Sequence, residues 1–288
     1  MAAPLLLCVL AATAMNADQQ QRQPLPLFGR HSIQTALDQW KSSLPPLPQL
    51  PDLQQFLPVP FRVTPGAGGN LRDDGFVPSE RVLELTGDGE EWRLAATKSG
   101  VRVWRRAVKG SPFDEVRGNG LIRVPPSVVL ALVKIADEDV VRQYNPLYDR
   151  GYDIQTLDAT TKISYASARA IFPFKPRDTV TRVAFRELPP AVGGGTAVFQ
   201  RAVKHPDMPK KSGVVRAEIL RGMFLIQPVA KQPGVTNFTF TQQLNCGGIV
   251  PAWLMNQLIA QDGVALVQRL SATATRMHKS GGQIKAKS

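Results

Sequence analysis

The chain has 288 residues, 43% of them hydrophobic and 20% charged, a balance ordinary for a soluble globular protein and long enough for one sizeable domain with a tail. Its formal net charge of +12 favours anionic partners such as phospholipid headgroups. No run reaches the roughly eighteen unbroken apolar residues that span a bilayer, two cysteines (Cys8 and Cys246) build no disulfide framework, and His31, His205 and His278 lie too far apart to spell a metal site.

Residues 1–17 open with an apolar run from Ala2 to Ala14 that ends in small residues. One reading is a targeting segment with an A-x-A-like cleavage site, which addresses the chain to the secretory route or an organelle. The other is a disordered or locally packed N-terminus, favoured by the missing Lys or Arg ahead of the run; the chain is then cytoplasmic or peripheral to a membrane. Residues 18–78 are rich in Gln and Pro. Pro45, Pro46, Pro48, Pro51, Pro58 and Pro60 forbid a long helix or a central strand, so this stretch reads as a largely disordered linker or presequence. Ile33, Leu37 and Trp40 follow Ser32 at helical spacing, but a helix that short is marginal alone.

The character changes at Ser79. A helix is expected through Val82, Leu83 and Leu85, resuming from Trp92 to Ala96. Strand patterns follow at Val101–Trp104 and Glu115–Val124. Pro125-Pro126-Ser127 starts an apolar helix over Val128–Ala136, and a second fits Asp137–Tyr144. Strands are then expected at Tyr152–Thr156, Lys162–Ile171, Thr179–Phe185, Thr196–Ala202, Val214–Ile226 and Thr236–Leu244. Turn residues such as Pro189-Pro190 and Gly193-Gly194-Gly195 separate them. The last element is a long helix from Pro251 to Met277, with Trp253, Leu254, Leu258, Ile259, Leu266, Val267 and Leu270 on its apolar face. The domain is expected over 79–279, with a basic tail at 280–288 carrying Lys285 and Lys287. This order predicts an α+β fold, a curved antiparallel sheet around a long C-terminal helix, and such a grip can hold an apolar ligand.

Several segments in this order resemble the START lipid-transfer domains. They are Trp92-Arg93-Leu94 with Ser99-Gly100-Val101-Arg102-Val103-Trp104; Val124-Pro125-Pro126-Ser127; Arg142-Gln143-Tyr144-Asn145; Phe172-Pro173; Arg177-Asp178; Ser212-Gly213-Val214-Val215-Arg216; and the run Gly247 to Asn256. The resemblance implies the helix-grip (Bet v 1-like) fold with an internal lipid tunnel, one lipid per domain, and transfer between membranes. It implies a lipid ligand of phospholipid or sterol-like class, a transient membrane surface, a monomer, no cofactor, no metal and no nucleic-acid partner. The tunnel wall is then expected to include Ser164, Ala166, Ala168, Thr181, Val183, Phe199, Glu218, Leu220, Phe238, Phe240, Trp253, Leu254 and Leu258. The loop with Pro189, Gly193, Gly194 and Gly195 is expected to gate it, moving with the start of the terminal helix; a plain hairpin loop is the other reading.

Choline-lipid members use aromatic side chains as a cage for the quaternary ammonium. In register, those positions fall at Ala166 and Leu220, and a headgroup arginine falls at Val141, one residue from Arg142. The acid and arginine of sterol-binding members fall at Ser164 and Val183. Neither headgroup signature is reproduced. Arg177 and Asp178 are adjacent in a strand and point to opposite faces, so they do not pair with each other and read as structural. Arg216 and Glu218 share a strand face, either solvated or turned toward a headgroup. Two other functions fit the same fold: a scaffold or sensor regulated by its lipid, and a cyclase-like enzyme, which needs a positioned acid or base in the cavity. No Ser/His/Asp or Cys/His constellation supports the enzyme, and no catalytic residue is assigned.

Overall fold

A computed structural model describes residues 91–135, 137–170, 174–248 and 250–281. The apolar N-terminus, the Pro/Gln-rich stretch and the helix expected from Ser79 lie outside the described residues. The elements in chain order are β1 (Arg93–Lys98), β2 (Val101–Arg106), β3 (Glu115–Ile122), α1 (Pro126–Lys134), α2 (Glu138–Tyr144), β4 (Tyr148–Asp158), β5 (Thr161–Ala168), β6 (Arg177–Glu187), a 3-10 turn (Pro190–Val192), β7 (Thr196–Ala202), β8 (Val215–Arg216), β9 (Glu218–Val229), β10 (Gln232–Asn245) and α3 (Ala252–Lys279).

Among the described residues the strands form one sheet in the order β1-β2-β3-β10-β9-β7-β6-β5-β4, antiparallel throughout, with β8 added parallel to β6. The expected α+β helix-grip architecture is what forms. Helix α3 packs across β1, β2 and β3, α2 lies against α3 and β4, and α1 covers β9 and β10. Both short helices begin where the sequence places them. Pro126 occupies the first turn of α1, where a missing N–H costs nothing. The Asp137 side chain caps α2 by accepting from Asp139 N and Val140 N. Pro251 is the N-cap of α3 rather than part of its first turn.

Two expectations fail. Trp92–Ala96 is not helical: Arg93–Lys98 pairs with β2 as the edge strand. Cross-strand stacking decides this. On the sheet's outer face Arg117 lies over both Trp104 and Trp92, Arg102 over Trp104, and Arg106 over Trp92, at 4.6–5.1 Å. The segment expected as one strand from Val214 to Ile226 breaks at Ala217 into β8 and β9. Arg216 there forms a bidentate pair with Asp178, Nε to Oδ1 at 2.7 Å and Nη2 to Oδ2 at 3.0 Å, and Arg216 also donates to the Met208 and Pro209 carbonyls. Asp178 and Arg216 are thus structural, tying β8 and the loop after β7 to the sheet.

The face of the sheet turned toward the helices carries the main core. It includes Val103, Val116, Ile122, Ala166, Ala168, Val183, Val198, Phe224, Ile226, Phe238, Phe240 and Leu244, joined by Leu132, Val141, Ile259, Leu266, Val267 and Leu270 from the helices. A smaller cluster of Ile163, Tyr165, Val180 and Met208 packs on the outer face. Two glycines let α3 approach. A Cβ at Gly118 would overlap the Phe240 ring, and one at Gly263 of α3 would lie 2.9 Å from Phe240 Cζ, so the ring is seated between two glycines.

Candidate functional site

Directly paired residues in a sheet share a face, so the register maps the inner face row by row. Nearest the loop between β6 and β7 runs Glu187–Thr196–Ile226–Phe238–Gly120, and beside it Phe185–Val198–Phe224–Phe240–Gly118–Val103. The third row is Lys162–Val183–Gln200–Gly222–Gln242–Val116. The fourth is Asp153–Ser164–Thr181–Ala202, and the fifth Gly151–Ala166–Thr179. The first two rows are largely apolar and aromatic. The next three carry polar side chains, buried at Lys162, Ser164, Thr179, Thr181, Gln200 and Gln242 and reaching solvent at Asp153. The inner face is therefore divided, apolar at one end and polar at the other.

Helix α3 lies along this gradient. Gly120, opposite Phe238, abuts Val267, and Phe240 abuts Gly263. Continuing in that direction, the Gln242 row lies level with the turn holding Ile259 and Asp262. The start of α3 is at the polar end.

Several polar groups there have no hydrogen-bond partner among the described residues. They are the Thr179 and Thr181 hydroxyls, Gln200 Nε2, Gln242 Oε1, Asp262 Oδ2, the Tyr144 and Tyr148 hydroxyls and the Asn145 amide. An unmet buried polar group costs roughly 1–3 kcal/mol, so ordered water or a bound polar group is expected to meet them. The charges are paired instead. Lys162 Nζ lies 3.0 Å from Asp153 Oδ1, which also accepts from Ser164 Oγ at 2.8 Å. Burial pulls the Lys162 ammonium below its ordinary pKa, against the hydrogen bond and charge of Asp153. Arg269 Nη2 meets Asp262 Oδ1 at 3.2 Å and its Nε donates to the Tyr144 carbonyl. Asp262 is 3% exposed, and desolvation raises its pKa to about 6 despite Arg269. At the rim, Arg177 donates to the Cys246 and Lys175 carbonyls.

Of the residues expected on the wall, Ser164, Ala166, Ala168, Thr181, Val183, Phe238 and Phe240 lie on the inner face. Tyr148 stands over Gly151, beside Ala166, so part of the space left by those small residues holds a tyrosine. Leu258 packs against the core, the Leu254 side chain lies outside the described part, and Trp253 is 60% exposed at the start of α3. Phe199 pairs with Ala184 and Met223 on the outer face. Glu218 and Leu220 also depart from the expected wall. A bulge interrupts β9 opposite Gln243 and Leu244, pairing Arg221 with Gln243 but Ile219 with Leu244. Beyond it, Ile219 and Ala217 face the core, Glu218 turns outward to Asn245, and Leu220 is the extra residue.

The loop expected as a gate is held by Gln227, whose Nε2 donates to the Val192 carbonyl at 2.7 Å and the Gly194 carbonyl at 3.4 Å. Gly193, Gly194 and Gly195 all have positive φ. This loop borders the apolar end, beside Ile226, whereas α3 begins at the polar end. Among the described residues no hydrogen bond joins the two. Arg142 bridges Glu138 and Asp139 and donates to the Tyr148 and Asp149 carbonyls. Asn256, at the end of the Gly247–Asn256 run, accepts from Asp114 N and donates to the Pro112 carbonyl, anchoring α3 to the loop before β3. The residues that sequence reasoning missed are Asp153, Lys162, Thr179, Gln200, Gln242 and Asp262. For Lys162, Thr179, Gln200 and Gln242 the signal was a polar residue inside a buried strand; Asp262 on α3 and Asp153 on the exposed edge strand β4 carry no such signal.

An antiparallel sheet gripping a C-terminal helix, with a two-sided inner face, defines a START-type domain. The START domain family model matches residues 79–280, and the chain belongs to that family. It is 26% identical over 196 residues to an uncharacterized protein of Pseudomonas aeruginosa, covering 65% of this chain and 88% of that one. It is 27% identical over 180 residues to the phosphatidylcholine transfer protein of Mus musculus, covering 61% and 79%. Against the START domain-containing protein 10 of Mus musculus it is 27% identical over 167 residues, 58% of this chain but only 55% of that relative's length. The crystal structure of human STARD10 superposes with a TM-score of 0.63 at 21% identity, over 72% of this chain and 82% of that one.

Proposed function

We propose that this domain encloses one lipid between its sheet and terminal helix and carries it between membrane surfaces, without catalysis. The observation that carries the reading is the divided inner face. Phe224, Phe238, Phe240, Val198 and Ile226 offer an apolar end to hydrocarbon, which gains roughly 25 cal/mol per Å² of apolar surface buried. Unpaired hydroxyls and amides at the other end suit a polar group. The names of its relatives point the same way, since one is a phosphatidylcholine transfer protein.

Access at the polar end fits the exposed Trp253 at the first turn of α3. An indole there suits the headgroup layer of a bilayer, and the net charge of +12 favours an anionic surface. The domain acts as a monomer on this reading. Of the two histidines among the described residues, His205 in the loop after β7 contacts Gln155 of β4 and Asp207, and His278 is exposed in the last turn of α3; neither faces the inner face, which favours binding over histidine acid–base chemistry. Transfer of a fluorescent lipid from quenched donor vesicles to acceptor vesicles tests the proposal. Catalytic amounts of protein should accelerate transfer, and Trp253→Ala should slow it while leaving binding capacity intact. Acceleration no greater than that given by an unrelated basic protein defeats the reading.

A further inference from the structure

We infer that the lipid held here carries an uncharged polar group with more than one hydrogen-bonding atom, of the diacylglycerol or N-acyl amino alcohol type, seated on Thr179, Thr181, Gln200 and Gln242. The inference rests on the lipid-enclosing reading and narrows it. The four side chains are buried on the inner face shared by β6, β7 and β10, and each has an atom without a partner among the described residues. Their chemistry is mixed and neutral: two hydroxyls that donate or accept, an amide N–H that donates, and an amide carbonyl that accepts.

Spacing argues for several contacts. Gln200 and Gln242 flank Gly222 on either side, two inter-strand steps or about 10 Å apart at the backbone. Thr179 and Thr181 continue the set along β6, next to Ala166 and Ser164. A single hydroxyl meets one or two of these groups. A diol, ester pair or amide alcohol reaches more of them at once.

Charge argues against a phosphate, and so against any phospholipid headgroup. The cations nearest the row are engaged: Lys162 with Asp153, Arg269 with Asp262, and Arg177 with two backbone carbonyls. A buried phosphate needs an unpaired cation, and breaking either buried pair to supply one leaves a carboxylate stranded.

The test uses the full chain incubated with vesicles holding equal mole fractions of diacylglycerol, ceramide, cholesterol, phosphatidylcholine and phosphatidylserine. The re-isolated protein is read by native mass spectrometry and lipid extraction. Diacylglycerol or ceramide should dominate the bound fraction. Thr181→Val and Gln200→Leu should each lower that uptake roughly three- to ten-fold, while Thr181→Ser, which keeps the hydroxyl, should retain it. A bound fraction dominated by phosphatidylcholine, phosphatidylserine or cholesterol overturns the inference but leaves lipid enclosure standing. Uptake of no lipid at all defeats the underlying reading as well. The wild-type preference decides even if a variant fails to fold.

Discussion

Arg216→Ala should be among the most damaging single changes in the domain. Asp178 is 1% exposed and the Arg216 side chain 10% exposed, and Arg216 supplies both hydrogen bonds found for the Asp178 carboxylate. Removing the guanidinium therefore strands a buried negative charge, a change that costs about 3–5 kcal/mol. For a domain of this size that corresponds to a fall in Tm of roughly 6–20 °C. The loop after β7 loses its anchors at the Met208 and Pro209 carbonyls in the same step. Urea denaturation of the wild type, Arg216→Ala, Asp178→Asn and the double variant Asp178→Asn/Arg216→Ala completes a cycle. The double variant should recover most of the loss, because no charge remains buried. A cost under about 1 kcal/mol for Arg216→Ala, the worth of a solvated surface pair, would refute the reasoning.

Gly195→Ala should unseat the loop between β6 and β7, since its Cβ would lie 2.9 Å from Gln227 Cα at a φ of +86°; faster amide exchange at Val192 and Gly194 checks this. Gly118→Ala drives a methyl group into the Phe240 ring and should cost about 1–3 kcal/mol by overpacking, with lipid uptake falling alongside stability. Asp262→Asn should stabilise the domain at pH 7. The folded pKa of Asp262 is raised to about 6 from 3.8, so its carboxyl favours folding below pH 4 and that contribution is lost as pH rises through 6. The gain in the asparagine variant should be on the order of 3 kcal/mol above pH 6 and shrink toward pH 4, as followed by chemical denaturation across pH.

The order of elements was legible because each carries its own local signal. Pro125-Pro126-Ser127 opens α1, Asp137 caps α2, and the heptad-like apolar face of 253–270 specifies α3. Edge strand β1 was not legible, because Trp92–Ala96 suits either period and only stacking against Arg106 and Arg117 of neighbouring strands resolves it. Side-chain direction was legible only where alternation is unbroken. Counting back by twos from Phe224 puts Leu220 and Glu218 inside, but the bulge in β9 shifts the count by one and turns Ile219 and Ala217 inward. Phe199 misled for another reason: β7 is buried on both faces, so apolarity alone does not say which way a residue points. The polar row was hidden because Gln200 and Gln242 become neighbours only through Gly222, on a strand between them.

Native mass spectrometry of the purified full chain bears on lipid enclosure before any ligand is named. The divided inner face predicts a single added lipid mass per protein molecule, either on purification or after exposure to mixed vesicles. A chain that stays at its bare mass under both conditions, while remaining folded, would contradict it.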